Sequence, residues 1–193
     1  MLSIAMATEP AIAAEGPTLS LRVVAEARDD ENIAAIYGPG NAGGGGSLQV
    51  GIMGKLGVDI EATWSRMTPT SGGNSALDIY PVSVLGTWQL SDPASRARII
   101  AGLGPALAGF SERSGRAEVA DEVKTGTKFS LETRLSAVVD TGFVRPPMAP
   151  SPSTVKALLV EFYGARRIQM PKPEGSGFRL GAWRVGVGMA VRL

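Results

Sequence analysis

The chain has 193 residues, enough for one all-β domain, and a formal net charge of +1, which points to no nucleic-acid partner. It contains no Cys and no His. Disulfides, thiolate metal sites, most zinc sites and Ser-His-Asp catalysis are therefore excluded, and we expect no enzyme, no metal and no cofactor. The 25 Gly residues disfavour a helical protein, because Gly is costly inside a helix.

The first 14 residues form an Ala-rich segment that resembles part of an export signal. Residues 11–13, Ala-Ile-Ala, or residues 12–14, Ile-Ala-Ala, fit a small-x-small cleavage site before Glu15. A basic region is missing, and Glu9 interrupts the apolar stretch. We therefore divide the chain into a degraded or partial signal-like leader, 1–14, and a single β-barrel domain, 15–193.

Eight stretches of the chain alternate apolar with polar or small side chains. A period of two predicts β-strands with one apolar and one polar face. No apolar run reaches the roughly 18 residues that a membrane-spanning helix needs. The predicted strands are, in chain order, residues 18–28, 47–56, 58–65, 77–90, 96–109, 128–140, 154–168 and 179–193.

The predicted strands differ in how clearly they alternate. The first, second, third, sixth and eighth have one clear apolar face each. For the fourth, fifth and seventh strands, the sequence does not decide which face points outward. Residues 155–167 of the seventh also approach helical spacing, so a helix is an alternative there.

The connections between the predicted strands alternate in length. Turns at 55–58, with Gly57 inside, and at 91–95 are short. The other connections are longer, and the four glycines at 43–46 indicate that the first is a flexible loop. The four prolines within 145–152 preclude a regular strand there. The loops expected on one side of the barrel are residues 29–46, 68–75, 111–127 and 169–177.

The polar faces of these strands carry charges of both signs. In a closed eight-stranded barrel these side chains fill the interior, and unpaired charges there would cost several kcal/mol each. We therefore expect a charge network in the lumen formed by Arg22, Glu26, Lys55, Asp59, Glu61, Glu132, Arg134, Glu161 and Arg184. Spacing alone makes a weak case for catalysis by these acids. The pair Arg166-Arg167 is interpreted as an anchor at a strand end.

Three features together resemble the small eight-stranded OmpA/OmpX-type outer-membrane β-barrels. They are the final strand 179–193, the Gly-rich strand 100–110, and the polar face that bears Glu132 and Arg134 and is followed by Glu161. The resemblance implies an all-β, eight-stranded antiparallel up-and-down transmembrane barrel in the outer membrane of a Gram-negative bacterium. Such a barrel contacts outer-membrane lipid, is inserted by the outer-membrane insertion machinery and is expected to be a monomer.

The chain departs from this family in its aromatic residues. Family members usually end in an aromatic residue, whereas this chain ends in Leu193. With three Trp, three Tyr and five Phe, few strand ends carry the aromatic girdle expected at both membrane interfaces.

Three functions stay open at this point. The first is a structural, adhesion or surface-interaction role, with a plugged polar interior and an extracellular ligand bound through the loops. The second is a soluble, periplasmic eight-stranded barrel with its apolar face turned toward a ligand, because period two does not distinguish the two orientations. The third is a small passive pore.

Overall fold

The computed structural model describes residues 16–71, 75–92, 95–113, 123–142, 157–169 and 179–193. Within these ranges, no helix has the length and hydropathy needed to cross a bilayer. The leader and the Pro-rich segment 145–152 lie outside the described residues. The elements are β1 (Thr18–Arg28), α1 (Glu31–Tyr37), β2 (Gly40–Met53), β3 (Leu56–Met67), β4 (Ala76–Gln89), β5 (Ala97–Arg113), β6 (Val123–Asp140), β7 (Ala157–Gln169) and β8 (Ala182–Arg192).

The eight strands form one closed barrel. Each strand pairs antiparallel with the next in the chain, and β8 pairs with β1. The predicted fold class is confirmed. Following the register once around the barrel from Arg28 leads back to Thr18 on the same strand, so the strands are tilted against the barrel axis. The end that carries both termini is called the terminal end, and the end that carries α1 the helix end.

The prediction of a flexible loop at 29–46 is wrong. Residues 31–37 form α1, and the glycines at 43–46 lie inside β2. Their role is close packing: a Cβ atom on Gly43 or Gly45 would lie 2.3 Å from a backbone oxygen of β3. Only glycine allows the two strands to approach this closely.

Other predicted boundaries also differ from those of the structure. The β2–β3 turn lies at Gly54 and Lys55, and Gly54 adopts a φ of 53°, whereas Gly57 belongs to β3. Much of the predicted connection 111–127 is a ladder, because β5 continues to Arg113 and β6 begins at Val123. The described part of the seventh segment is strand, so the helical alternative is wrong there.

The apolar faces of the strands point outward. Outward positions include Leu21 at 74 % exposure and Val185 at 62 %, whereas their inward neighbours Arg22 and Arg184 are buried. In β4, β5 and β7, for which the sequence does not decide the outward face, the outward side chains include Val82, Leu103 and Phe162. The soluble alternative requires an apolar cavity inside the barrel. The described residues contradict that alternative, because their apolar faces point outward.

Three apolar clusters of described residues lie inside the barrel, two of them toward opposite ends. The helix-end cluster contains Ile33 and Tyr37 of α1 together with Met67, Leu77, Ile79, Ala108 and Leu180, and Phe110 packs against it. The terminal-end cluster contains Ile100, Val138, Ala157, Leu159 and Ala190. Between these two lie the third cluster, Val24, Tyr163 and Ala165, and most of the buried charged residues.

Candidate functional site

Arg22 of β1 holds one side of the charged interior. Its Nε and Nη2 atoms each donate to the Glu161 carboxylate of β7 at 2.9 Å. It also bonds to Glu61, and its Nη2 lies 3.3 Å from Asp59 Oδ2. The ring of Tyr163 lies 5.1 Å from the Arg22 guanidinium carbon. One arginine thus links strands from opposite parts of the sequence.

Asp59 and Glu61 of β3 are the acceptors at the centre. They are two residues apart, so both point inward, and their side chains are almost fully buried. Arg134 of β6 donates to both of them, with its Nη1 2.8 Å from Glu61 Oε2. Arg184 of β8 donates to Glu61 Oε1 at 2.7 Å. Glu61 therefore accepts hydrogen bonds from three arginines.

The network continues toward the helix end through Glu132 of β6. Arg184 bonds to one of its carboxylate oxygens, and Arg167 of β7 donates to the other at 3.1 Å. The cluster therefore contains four arginines and four carboxylates, so its formal charges cancel. A separate pair nearby joins Arg28 to Glu26, whose carboxylate also accepts from Ser65.

The structure places eight of the nine predicted lumen residues on the inward face, all of them buried. Lys55 is the exception: it is exposed in the β2–β3 turn, outside the barrel interior. The predicted inward position for Lys55 continued the alternation of strand two past its end, and the turn breaks that alternation.

Sequence reasoning missed three buried arginines, Arg28, Arg98 and Arg167. Arg28 and Arg167 share the inward parity of their strands, so the alternation carries the signal. The interpretation of Arg166-Arg167 as an anchor is wrong for Arg167, which is buried against Glu132. Arg166 points to the other face.

Helix α1 closes the helix end of the interior. Asp30 caps its N-terminus by accepting from the backbone N–H groups of Asn32 and Ile33, at 2.9 and 3.1 Å. The Tyr37 hydroxyl donates to Glu112 Oε1 of β5 at 2.8 Å. Burial, and then the hydrogen bond and negative charge of Glu112, raise the pKa of Tyr37 above its ordinary value.

The paired side chains occupy the middle of the described interior. Near the terminal end a cavity of about 10 Å³, bordered by Ser20, Ser47 and Arg98, has room for about one water molecule. All the described carboxylates of the central cluster accept from arginines, so the cluster holds no free general acid or base. In the described ranges, no three metal-ligating side chains come together to hold an ion.

No family model and no curated protein matches this chain. Solved structures do match. Neisserial surface protein A has a TM-score of 0.60 at 10 % identity, and the match covers 93 % of this chain and 99 % of that one. The outer membrane protein OprG from Pseudomonas aeruginosa has a TM-score of 0.55 at 11 % identity, covering 93 % and 97 %.

A third similar structure is the attachment invasion locus protein Ail of Yersinia pestis, in complex with the heparin analogue sucrose octasulfate. Its TM-score is 0.53 at 11 % identity, and the match covers 91 % of this chain and 99 % of that one. These neighbours are outer-membrane barrels of Gram-negative bacteria. The chain has the fold of a small eight-stranded outer-membrane barrel.

Proposed function

We propose that this protein is an integral outer-membrane barrel of the OmpA/OmpX type, with a sealed interior and a surface-interaction role at its helix end. One observation carries the proposal: the outward face is apolar, and the inward charges pair into a neutral cluster between two apolar clusters. The degraded or partial signal-like leader at residues 1–14 stays a prediction. We further propose that the protein is a monomer and that the outer-membrane insertion machinery inserts it. We also propose that it has no enzymatic activity.

The connections support an orientation with the helix end outside the cell. The turns at Gly54–Lys55 and at residues 90–96 are short, and both lie at the terminal end. Outer-membrane barrels place short turns in the periplasm and longer loops outside. The departure is the β6–β7 connection, 141–156, which is long although it lies at the terminal end.

Aromatic residues support the same membrane placement. Trp64, Tyr80, Phe129 and Trp183 all point outward near the helix ends of their strands. Aromatic side chains favour the membrane–water interface, where one part of the ring system is wet and the other apolar. Of the other outward aromatic residues in the described ranges, Trp88 lies near the terminal end and Phe162 in the middle of β7, so the helix end carries the larger share of the girdle.

The surface for interactions is provided by the β5–β6 hairpin and α1. Among the described residues, β6 pairs with β7 only from Ser130 onward, and residues 123–129 pair with β5. Ile36 of α1 and Val123 of the hairpin are about half exposed. These features lie beyond the aromatic girdle, where an extracellular ligand would meet them.

Cysteine labelling tests this orientation, because the chain has no native Cys. In intact cells, a Lys124→Cys variant should react with a membrane-impermeant maleimide. The matched control Lys55→Cys, also an exposed lysine but in the opposite turn, should react only after the outer membrane is permeabilised. The reverse pattern would overturn the proposed orientation.

Conductance tests the sealed interior against the passive pore. Purified protein in planar bilayers should show no sustained channel, because arginine–carboxylate pairs occupy the lumen. Sustained single-channel conductance from the folded protein would instead support the pore.

A further inference from the structure

The outer wall of the barrel contains a groove across β5 to β8. Its volume is about 420 Å³, within the range of small-molecule binding sites. Every described residue that lines it is uncharged. The outward-facing part of the lining consists of Ile99, Leu135, Ala137, Phe162, Gly164 and Val185.

Gly164 leaves a gap in the wall of this groove. It pairs with Leu135 on one side and Val185 on the other, and both neighbours are more than half exposed. A Cβ atom on Gly164 would meet nothing within 4 Å. The glycine therefore relieves no crowding and leaves open a space that any larger side chain would occupy.

A cation lies at the helix-end mouth of the groove. Arg166 is the next outward residue of β7 after Gly164, about 7 Å further along the strand. Its guanidinium carbon lies 4.7 Å from the centroid of a Trp183 ring, and its Nη1 lies 2.5 Å from Asp29 Oδ1. The Arg166 side chain keeps about a quarter of its surface exposed.

The groove and the cation lie at different depths of the proposed membrane. Trp183 belongs to the aromatic girdle, so Arg166 lies at the level of the lipid headgroups. The groove begins one outward position closer to the terminal end, at the level of the acyl chains. A guanidinium suits a phosphate because its planar N–H groups bond to two oxygens at once.

We propose that the groove binds an anionic, phosphate-bearing membrane lipid, with an acyl chain along Gly164 and the phosphate at Arg166. The inference rests on the proposed membrane location. The charge at the groove mouth favours such a lipid over a second copy of the chain, because the lining of a second copy's groove is uncharged and would offer Arg166 no anion.

Fluorescence quenching tests this proposal with defined lipids. A variant with Trp64→Phe and Trp88→Phe keeps Trp183, beside the groove, as its only tryptophan. In dodecyl maltoside micelles, phosphatidylglycerol with brominated acyl chains should quench Trp183 along a saturating curve. Brominated diacylglycerol, which lacks the phosphate, should need at least a tenfold higher concentration.

Two substitutions separate the acyl-chain and phosphate contacts. Gly164→Leu fills the groove and should weaken quenching by both lipids at least tenfold. The matched control Gly86→Leu also adds a side chain at an outward glycine, on β4 and outside the groove, and should change nothing. Arg166→Gln should reduce quenching by phosphatidylglycerol to that of diacylglycerol.

The contrary outcomes are distinct. Quenching that stays linear, or that falls equally in the Gly164→Leu and Gly86→Leu variants, overturns the proposal. An unchanged lipid preference in Arg166→Gln overturns the assignment of the phosphate to Arg166. If the wild type forms dimers without lipid and Gly164→Leu does not, the groove binds a second copy of the chain instead. Each protein must first show a heat-dependent shift in gel mobility. If the wild type shows none, the proposed function fails too; if it shows one, only the lipid site is at stake.

Discussion

Arg22 and Glu161 form a two-pronged ion pair across the barrel interior, with both hydrogen bonds at 2.9 Å. Arg22 lies on β1 and Glu161 on β7, and β8 lies between these strands. The pair therefore ties the first strand to the last part of the chain without relying on the backbone ladder. Both side chains are removed from water, so each depends on the other for its stability.

Removing one member of this pair should destabilise the barrel strongly. We expect Arg22→Ala to lower the free energy of unfolding by about 3–5 kcal/mol, because it leaves buried carboxylates without their partner. Urea unfolding of the protein refolded in lipid vesicles measures this. The control Lys55→Ala removes an exposed charge and should change the free energy by less than about 0.5 kcal/mol. Equal effects in the two variants would show that Arg22 is not buried in a network.

The adjacent arginines Arg166 and Arg167 should behave differently. Arg167 is buried against Glu132, so Arg167→Ala should cost about 3–5 kcal/mol. Arg166 is partly exposed and paired with Asp29, so Arg166→Ala should cost about 1 kcal/mol or less. The same unfolding measurement compares them, and a larger loss for Arg166→Ala would contradict their assigned faces.

The alternation of apolar and polar residues determines which parts of this architecture can be predicted from the sequence. It predicts all eight strands and places eight of the nine expected lumen residues on the inward parity, since period two links each residue to a face. It does not reveal which carboxylate meets which arginine. Those partners depend on the stagger of the closed barrel, which brings Arg22 to Glu161 and Arg184 to Glu61.

The glycine-rich start of β2 shows where local reasoning fails. Four consecutive glycines favour a loop when only the chain itself is considered, because glycine is flexible. In the barrel they form a strand, because the approach of β3 excludes a Cβ atom at Gly43 and Gly45. Helix α1 could not be predicted from the sequence either, because seven residues are too few to show a clear helical period.

Neighbouring glycines of β2 provide a matched test of this close packing. In Gly45→Ala the new Cβ atom would lie 2.3 Å from the carbonyl oxygen of Ala62, whereas in Gly44→Ala it would lie 3.5 Å from that of Arg22. We expect Gly45→Ala to cost about 1–3 kcal/mol through overpacking and Gly44→Ala clearly less.

Deletion of residues 38–46 should abolish the heat-dependent mobility shift. Normal folding of that deletion would restore the loop interpretation.

Tyr37 should keep its proton to unusually high pH. Its pKa is raised by burial and by Glu112, so the folded state binds the proton more tightly than the unfolded state. Its contribution to stability is then complete below the ordinary tyrosine pKa of about 10 and is lost as the pH rises further. Difference absorbance between wild type and Tyr37→Phe measures its ionisation.

The hydrogen bond from Tyr37 also predicts a local effect at neutral pH. Tyr37→Phe should cost about 0.5–1.5 kcal/mol and speed amide exchange within residues 31–37, because α1 loses its bond to β5. A Tyr37 that titrates like an exposed tyrosine, with unchanged exchange in the variant, would show that α1 does not close the barrel.

The central claim is a closed barrel with its apolar face in the outer membrane. The most direct measurement is cell fractionation after expression behind an intact export signal, with boiled and unboiled outer-membrane samples compared on a gel. We expect recovery in that fraction and a mobility that changes on boiling. Recovery as a soluble protein without any shift would contradict it.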